Sequence, residues 1–171
     1  MSNPVDPQAL RETMRLWASG VSVVTTAHGD ERSGLTVSAF NSLSLQPPMV
    51  LICLHKDSHS IPVIDQSGVF AVSFLNAEQQ IISDRFAGRI PFGEGEDRFT
   101  GVETHTAATG SPIIADAIAW VDCKVAMKHD GSTHWIYIGE VQATGQTRLN
   151  TAPLLYFDRA YRALQTEPIT P

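Results

Sequence analysis

Along residues 34–48, GLTVSAFNSLSLQPP, apolar and polar positions alternate with a period of two. Leu35, Val37, Ala39, Leu43 and Leu45 share one face of an extended strand, and Thr36, Ser38, Phe40, Ser42 and Ser44 share the other. A face made almost wholly of hydroxyls meets either water or a ligand rich in hydrogen-bonding groups, and an antiparallel sheet accommodates both. Further strand-like runs are VSVVTT (21–26), MVLICL (49–54) and VFAVSFL (69–75). The first two flank the 34–48 run across the polar stretch HGDERSG and the break QPP, which predicts a meander of three neighbouring strands. AIAWVDCKVAMKH (117–129) and HWIYIGEVQATGQT (134–147) are joined by DGST, and an Asp-Gly pair between alternating runs signals a hairpin. Gly139 inside the second run predicts a bulge or a close backbone approach. A last run, LLYFDRAYRAL (154–164), mixes aromatics with two arginines.

Helical spacing is confined to a few places. Asp6 and Pro7 suit a helix start, and Leu10, Met14 and Trp17 recur four and three residues apart before Gly20. Ser58–Asp65 predicts a short helix. Asn76 with Gln79 three residues on forms a capping-box signature ahead of Ile81, Ile82 and Phe86, and Gly88 ends that helix. GRIPFGEGEDRFTG (88–101) is glycine-rich and polar and is expected to be a long surface loop. Many hairpin-connected strands with two substantial helices predict a closed antiparallel barrel, because closure removes the exposed edges those strands would leave.

Composition narrows the classes of function. At 171 residues the chain suits one domain over 1–171, and 43% hydrophobic with 18% charged residues excludes a disordered tail protein. A formal net charge of −6 argues against a nucleic-acid surface, so an anionic ligand has to be held by local groups. The start MSNPVDPQALRE lacks a basic-flanked apolar leader, and no run approaches the ~20 apolar residues of a membrane span, so a cytoplasmic protein is expected. Cys53 and Cys123 lie in apolar runs without a C-x-x-C pair and read as reduced core residues.

Absent motifs narrow the chemistry further. GEGEDR lacks a third glycine and follows no strand, and neither a G-x-S-x-G elbow nor a P-loop occurs. His55 and His59 are four apart, but no Glu follows His55, so no metal site is expected. What remains is a cluster of hydroxyls between Thr36 and Ser60. In CLHKDSHS (53–60) a strand ends beside Lys56, Ser58 and Ser60, which suits either a phosphate or an ordinary polar turn capping the next helix. On the residues alone His134 reads first as a surface residue and Tyr156, Phe157 and Tyr161 as packing residues, with a role as ligand contacts the other reading.

Taken in order and spacing, GVSVVTT, GLTVSAFNSLSLQPPMVLICL, DRFAG, HWIYIGEV and PLLYFDRAYRAL resemble the flavin reductase family with the FMN-binding split-barrel fold, from about Leu10 to Leu164. The resemblance implies a mainly β, antiparallel split β-barrel of Greek-key type with a few peripheral helices. It implies hydride transfer from NADH or NADPH to FMN or FAD, a homodimer, and a flavin-dependent monooxygenase that receives the reduced flavin. By resemblance, Thr36, Val37, Ser38 and Ala39 line the flavin, and Ser42 and Leu43 complete that wall. Cys53, Leu54, Lys56, Ser58 and Ser60 are implied to hold the rest of the ribityl chain and the phosphate. Phe86, Ala87 and Arg89 approach from the second helix, where Arg85 replaces the family's usual Asn. His134 matches the histidine of the family's GDH motif, here GSTH, and is implied to position the nicotinamide, with Phe157 and Tyr161 bordering that side. A pyridoxamine-phosphate-oxidase-like enzyme and a non-catalytic flavin- or haem-binding protein remain as alternatives.

Overall fold

The computed structural model describes residues 4–147 and 150–164. Helix α1 (Pro7–Met14) starts as expected: the Asp6 carboxylate accepts the Gln8 N–H at 3.1 Å, and Pro7 stands where no helical N–H is needed. Next come β1 (Ser19–Gly20), β2 (Ser22–His28), β3 (Glu31–Val37), β4 (Phe40–Leu45), β5 (Pro48–His55), α2 (Ser60–Ser67) and β6 (Val69–Phe74). A single 3₁₀ turn, Ala77–Gln79, leads into α3 (Gln80–Phe86), followed by β7 (Thr104–His105), β8 (Ile113–Ile114), β9 (Ala119–Gly131), β10 (His134–Gln146), β11 (Leu154–Phe157) and β12 (Ala160–Ala163). The main sheet has seven strands in the order β3-β2-β6-β9-β10-β5-β4, and β1-β11-β12 and β7-β8 form two small sheets. Every pairing in the main sheet is antiparallel.

The two edge strands of this sheet are consecutive in sequence. Only Ser38 and Ala39 separate the end of β3 from the start of β4, so the sheet must curl until its edges meet. No ladder joins those edges. At the seam the Cys53 N–H donates to the Ala39 carbonyl at 3.0 Å and the Phe40 N–H to the Ser38 carbonyl at 3.1 Å. The result is a barrel open along one line, with hairpins β2–β3, β4–β5 and β9–β10 interleaved by the non-sequential neighbours β2–β6, β6–β9 and β5–β10.

This corrects the continuous strand and the meander expected around 34–48. The bend at Ser38–Ala39 resets which face is which, because a one-residue slip exchanges every side chain between faces. Phe40, assigned to the hydroxyl face, packs inward edge-on to Phe74 at 4.9 Å, whereas Leu43 and Leu45 are 47% and 82% exposed.

β2 is buried over its first five residues because each face meets a different core. Val24 joins Ile52, Leu54, Phe70 and Tyr137 inside the barrel, whereas Val23 joins Leu75, Phe86, Phe99 and Leu154 outside it. Residues 88–101 form the expected irregular and mostly exposed loop, and the second cluster anchors its far end: Phe99 is buried edge-on against Phe86 at 5.0 Å and pins that segment over the sheet. The predicted capping box is present. The Asn76 side chain accepts the Glu78 N–H at 2.8 Å, and the Gln79 side chain accepts the Asn76 N–H at 3.1 Å.

Two other local expectations shift. The β9–β10 hairpin turns at Ser132–Thr133, with Gly131 opposite His134, Ser132 at φ 68° and its N–H donated to Asp130 at 2.8 Å. The apolar stripe of α1 faces outward: Leu10, Met14 and Trp17 are all exposed and no residue of the helix is buried.

Candidate active site

A groove follows β3 and α3. Its first hollow, about 410 Å³, has an apolar floor of Leu35, Phe86, Ala87 and Phe92 and a polar end of Ser33, Ser58, His59, Ser60 and Arg98. It shares Thr36 and Ala87 with a second hollow of about 180 Å³, which adds Val37, Ser38, Ser83, Arg89, Tyr156 and Tyr161. The second hollow in turn shares Ser38 and Tyr156 with a third, about 730 Å³, beside α1.

The groove exists because β3 and α3 lie unusually close. A Cβ at Gly34 would sit 2.7 Å from Phe86 Cε1, so glycine is what lets the Phe86 ring rest on the strand. The Thr36 hydroxyl donates to the Ser83 carbonyl at 2.6 Å and ties the two elements together. At the polar end the Ser33 and Ser60 hydroxyls are 2.8 Å apart, and the Ser58 hydroxyl accepts the Ser60 N–H at 3.3 Å. Arg98 Nη1 donates to the Gly34 and Phe86 carbonyls, each at 2.9 Å, which fixes a guanidinium beside those hydroxyls.

The other end carries a second polar network. The Tyr161 hydroxyl is 2.9 Å from both Ser83 Oγ and Asp84 Oδ1, and Arg89 Nη1 donates to Asp84 at 3.0 Å and to Tyr161 at 3.2 Å. The Arg89 guanidinium also lies 5.6 Å from the Tyr161 ring centre and 5.9 Å from that of Tyr156. Its hydrogen bond to Asp84 raises the Arg89 pKa, and burial, reinforced by Asp84, raises that of the Tyr161 phenol. Both groups therefore stay proton donors near neutral pH.

An apolar floor with hydroxyl and guanidinium donors at its ends fits a flat amphipathic ring carrying a hydroxylated, phosphorylated chain. Among the described residues no three His, Cys, Asp or Glu side chains are grouped to hold an ion. Residues 14–165 match the family model described as flavin reductase like domain. The chain belongs to the flavin reductase family.

Individual relatives agree along nearly the whole length. The reductase subunit HsaB of a flavin-dependent monooxygenase from Mycobacterium tuberculosis is 36% identical over 172 residues, covering 100% of this chain and 89% of that protein. The FMN reductase (NADH) RutF 2 of Methylorubrum extorquens is 36% identical over 160 residues, 94% of this chain and 91% of the relative. In three dimensions the NADH:FAD oxidoreductase SgcE6 of Streptomyces globisporus superposes with a TM-score of 0.85 at 32% identity, covering 96% of this chain and 99% of that one.

Against this family background, the residues singled out in the sequence fall into two groups. Thr36, Val37, Ser38, Ser58, Ser60, Phe86, Ala87, Arg89 and Tyr161 converge on the first two hollows, and Ala39 lines the third. The others lie apart from these linings. Leu54 points into the barrel core, Cys53 is half-buried on β5, and Ser42 and Leu43 sit on the outer strand β4. The Lys56 ammonium is engaged by Asp130 at 2.7 Å and by the Trp135 ring at 4.4 Å; its hydrogen bond holds the Asp130 carboxyl below its usual range. His134 starts β10 opposite His55, edge-on at 5.1 Å, with Nδ1 2.9 Å from the Thr133 hydroxyl. Phe157 is partly exposed at the end of β11. Arg85 donates to the Thr100 carbonyl at 2.6 Å and so braces the segment that carries Phe99.

Ser33, His59 and Arg98 line the groove without having been singled out as flavin contacts, and Tyr156, read from the chain either as packing or as a ligand contact, borders the second hollow. Ser33 lay in a stretch read as turn, but β3 begins at Glu31. Arg98 has no local signal, since its partners are 64 and 12 residues away.

Proposed function

We propose that the protein is an NAD(P)H-dependent flavin reductase that transfers hydride from NADH or NADPH to FMN or FAD and hands the reduced flavin to a flavin-dependent monooxygenase. The observation that carries this is the groove itself, an apolar floor between β3 and α3 with hydroxyls and Arg98 at one end and the Arg89–Tyr161 pair at the other. Ser33, Ser58, Ser60 and Arg98 would hold the phosphate and ribityl hydroxyls, and Leu35, Phe86 and Ala87 would keep water from one face of the ring. Arg89 would donate to its polar edge, with Tyr161, whose hydroxyl donates to Asp84, holding that guanidinium in place. When bound, the flavin supplies the hydride acceptor and the reduced nicotinamide the hydride. The chain then needs no nucleophile and no strong base, only walls and donors that hold the reacting pair in register. His134, at the strand end from which the Ser58–Ser60 segment departs, is assigned to positioning the nicotinamide.

The reading includes one domain with its core at about 10–164, a cytoplasmic location and a homodimer. The dimer is supported by the unpartnered apolar side chains of α1 and β4, with Trp17 71% and Leu45 82% exposed in one chain.

The test is anaerobic mixing with excess FMN or FAD and NADH or NADPH while following flavin absorbance. Loss of the oxidised band that depends on the nicotinamide is expected. Flavin binding without bleaching would instead indicate a binding protein. His134→Ala is expected to lower the rate on the order of 10²-fold with flavin affinity unchanged, and parallel losses in both would remove its nicotinamide role.

A further inference from the structure

The groove holds its two guanidinium groups in different ways. Arg98, at the end assigned to the phosphate, is fixed by the Gly34 and Phe86 carbonyls, each at 2.9 Å. Carbonyls carry no net charge, so they leave the charge of that guanidinium undiminished. Arg89, the one charged side chain among the described residues lining the second hollow, is fixed by a carboxylate instead, with Nη1 3.0 Å from Asp84 Oδ1. Asp84 is not part of that lining, and its side chain is 21% exposed against 52% for Arg89, so the carboxylate stands behind the guanidinium. The Tyr161 hydroxyl donates to the same Oδ1 at 2.9 Å and holds it there.

The end of α3 builds this pair. Gly88, at φ 72°, reverses the chain in a Schellman motif: its N–H donates to the Arg85 carbonyl at 3.1 Å, and the Arg89 N–H donates to the Asp84 carbonyl at 2.9 Å. The motif sets residue 89 over residue 84, and the sequence DRFAGR carries a base and an acid at those two positions. Glycine is needed at 88 because other side chains strain a left-handed turn.

Charge at this place changes during the reaction read for the groove. Hydride leaves the nicotinamide C4 with its electron pair and adds to the flavin ring, so the nicotinamide gains one positive charge and the ring one negative charge. The flavin phosphate keeps the charge it had. A cation beside the phosphate therefore favours both flavin forms alike, whereas an unopposed cation beside the ring would favour the reduced form and slow its departure.

We infer that Asp84 sets the balance between oxidised and reduced flavin, offsetting the charge of Arg89 so that the reduced form is free to leave. Asp84 is thus a positioning residue that acts through Arg89. The inference rests on the reductase reading of the groove and deepens it, by assigning what lets the product go.

The test measures FMN affinity of the full chain in both states, the oxidised form in air and the dithionite-reduced form anaerobically, together with the midpoint potential of the bound flavin. Wild-type affinities for the two forms are expected within about tenfold of each other. Asp84→Asn is expected to raise the preference for reduced FMN about tenfold, the order of one unit charge across roughly 10 Å at an effective dielectric of about 20, and with it the midpoint potential by about 30 mV. Arg89→Gln leaves Asp84 unopposed and should shift the preference the other way, and the double variant should return toward the wild-type ratio.

A carboxylate that served only to hold the fold would lower both affinities together and leave their ratio unmoved. That outcome overturns the inference, as does a reduced-form preference that falls in Asp84→Asn, or one that in the wild type already lies well above the expected range. If Asp84→Asn does not fold, an unmoved ratio in Arg89→Gln, whose side chain is half exposed, overturns the inference by itself. Wild-type protein that binds FMN in neither state, or binds it without reduction by NADH or NADPH, would strike down the reductase reading and this inference with it.

Discussion

A methyl group at position 139 would stand 2.4 Å from Phe70 Cζ and 2.9 Å from Cys123 Cβ, both buried in the barrel core. Gly139→Ala is therefore expected to destabilise the fold by about 1–3 kcal/mol, the usual cost of overpacking, as measured by urea denaturation. Its neighbour Cys123 gives a pH-dependent prediction. Burial, with Asp122 adding to it, pushes the thiol from 9.0 up to about 12, so the native state favours the neutral form. The stability this contributes is complete below the unfolded value of 9.0 and is lost as pH rises toward about 12. Denaturation midpoints measured across the alkaline range should fall with pH, and less steeply in Cys123→Ala. Gly139 and Cys123 were legible from the chain, one as a glycine interrupting a strand and the other as a cysteine in an apolar run. Arg98 was not, because a guanidinium in a polar segment looks the same whether it faces water or two distant carbonyls.

Caps and turns within elements followed from adjacent residues. Asn76 holds the start of the 3₁₀ turn and also donates through Nδ2 to the Asp116 carbonyl at 2.9 Å. Asn76→Ala is expected to cost about 1–2 kcal/mol and to lower Tm by roughly 2–8 °C, read in a thermal melt. The 34–48 stretch shows where element-level reasoning failed. Its alternation is real on each side of Ser38–Ala39, but a two-residue bend between edge strands leaves no clear mark in a pattern of period two. The GSTH turn is similar: Asp130 and Gly131 do mark the hairpin, and the reversal falls on the next two residues because Gly131 is already paired with His134.

At the scale of the whole molecule, the outward apolar faces of α1 and β4 predict a sedimentation mass of twice the 18.6 kDa chain. Leu43→Asp combined with Leu45→Asp should shift that mass toward the monomer, because a charge buried at an interface is costly unless paired. An unaltered mass would place the contact elsewhere. Strand identity, the capped helix and the family were all readable from the chain, since each depends on residues close together or on ordered motifs. The seam, the two-sided burial of β2 and the assembly of the groove were decided only by folding. Ser33 meets Ser60 across 27 positions and Arg98 meets Gly34 across 64, and such pairings depend on how the sheet curls and not on any local preference. Periodicity says which way a side chain points from its own strand, and only closure of the sheet says what stands opposite.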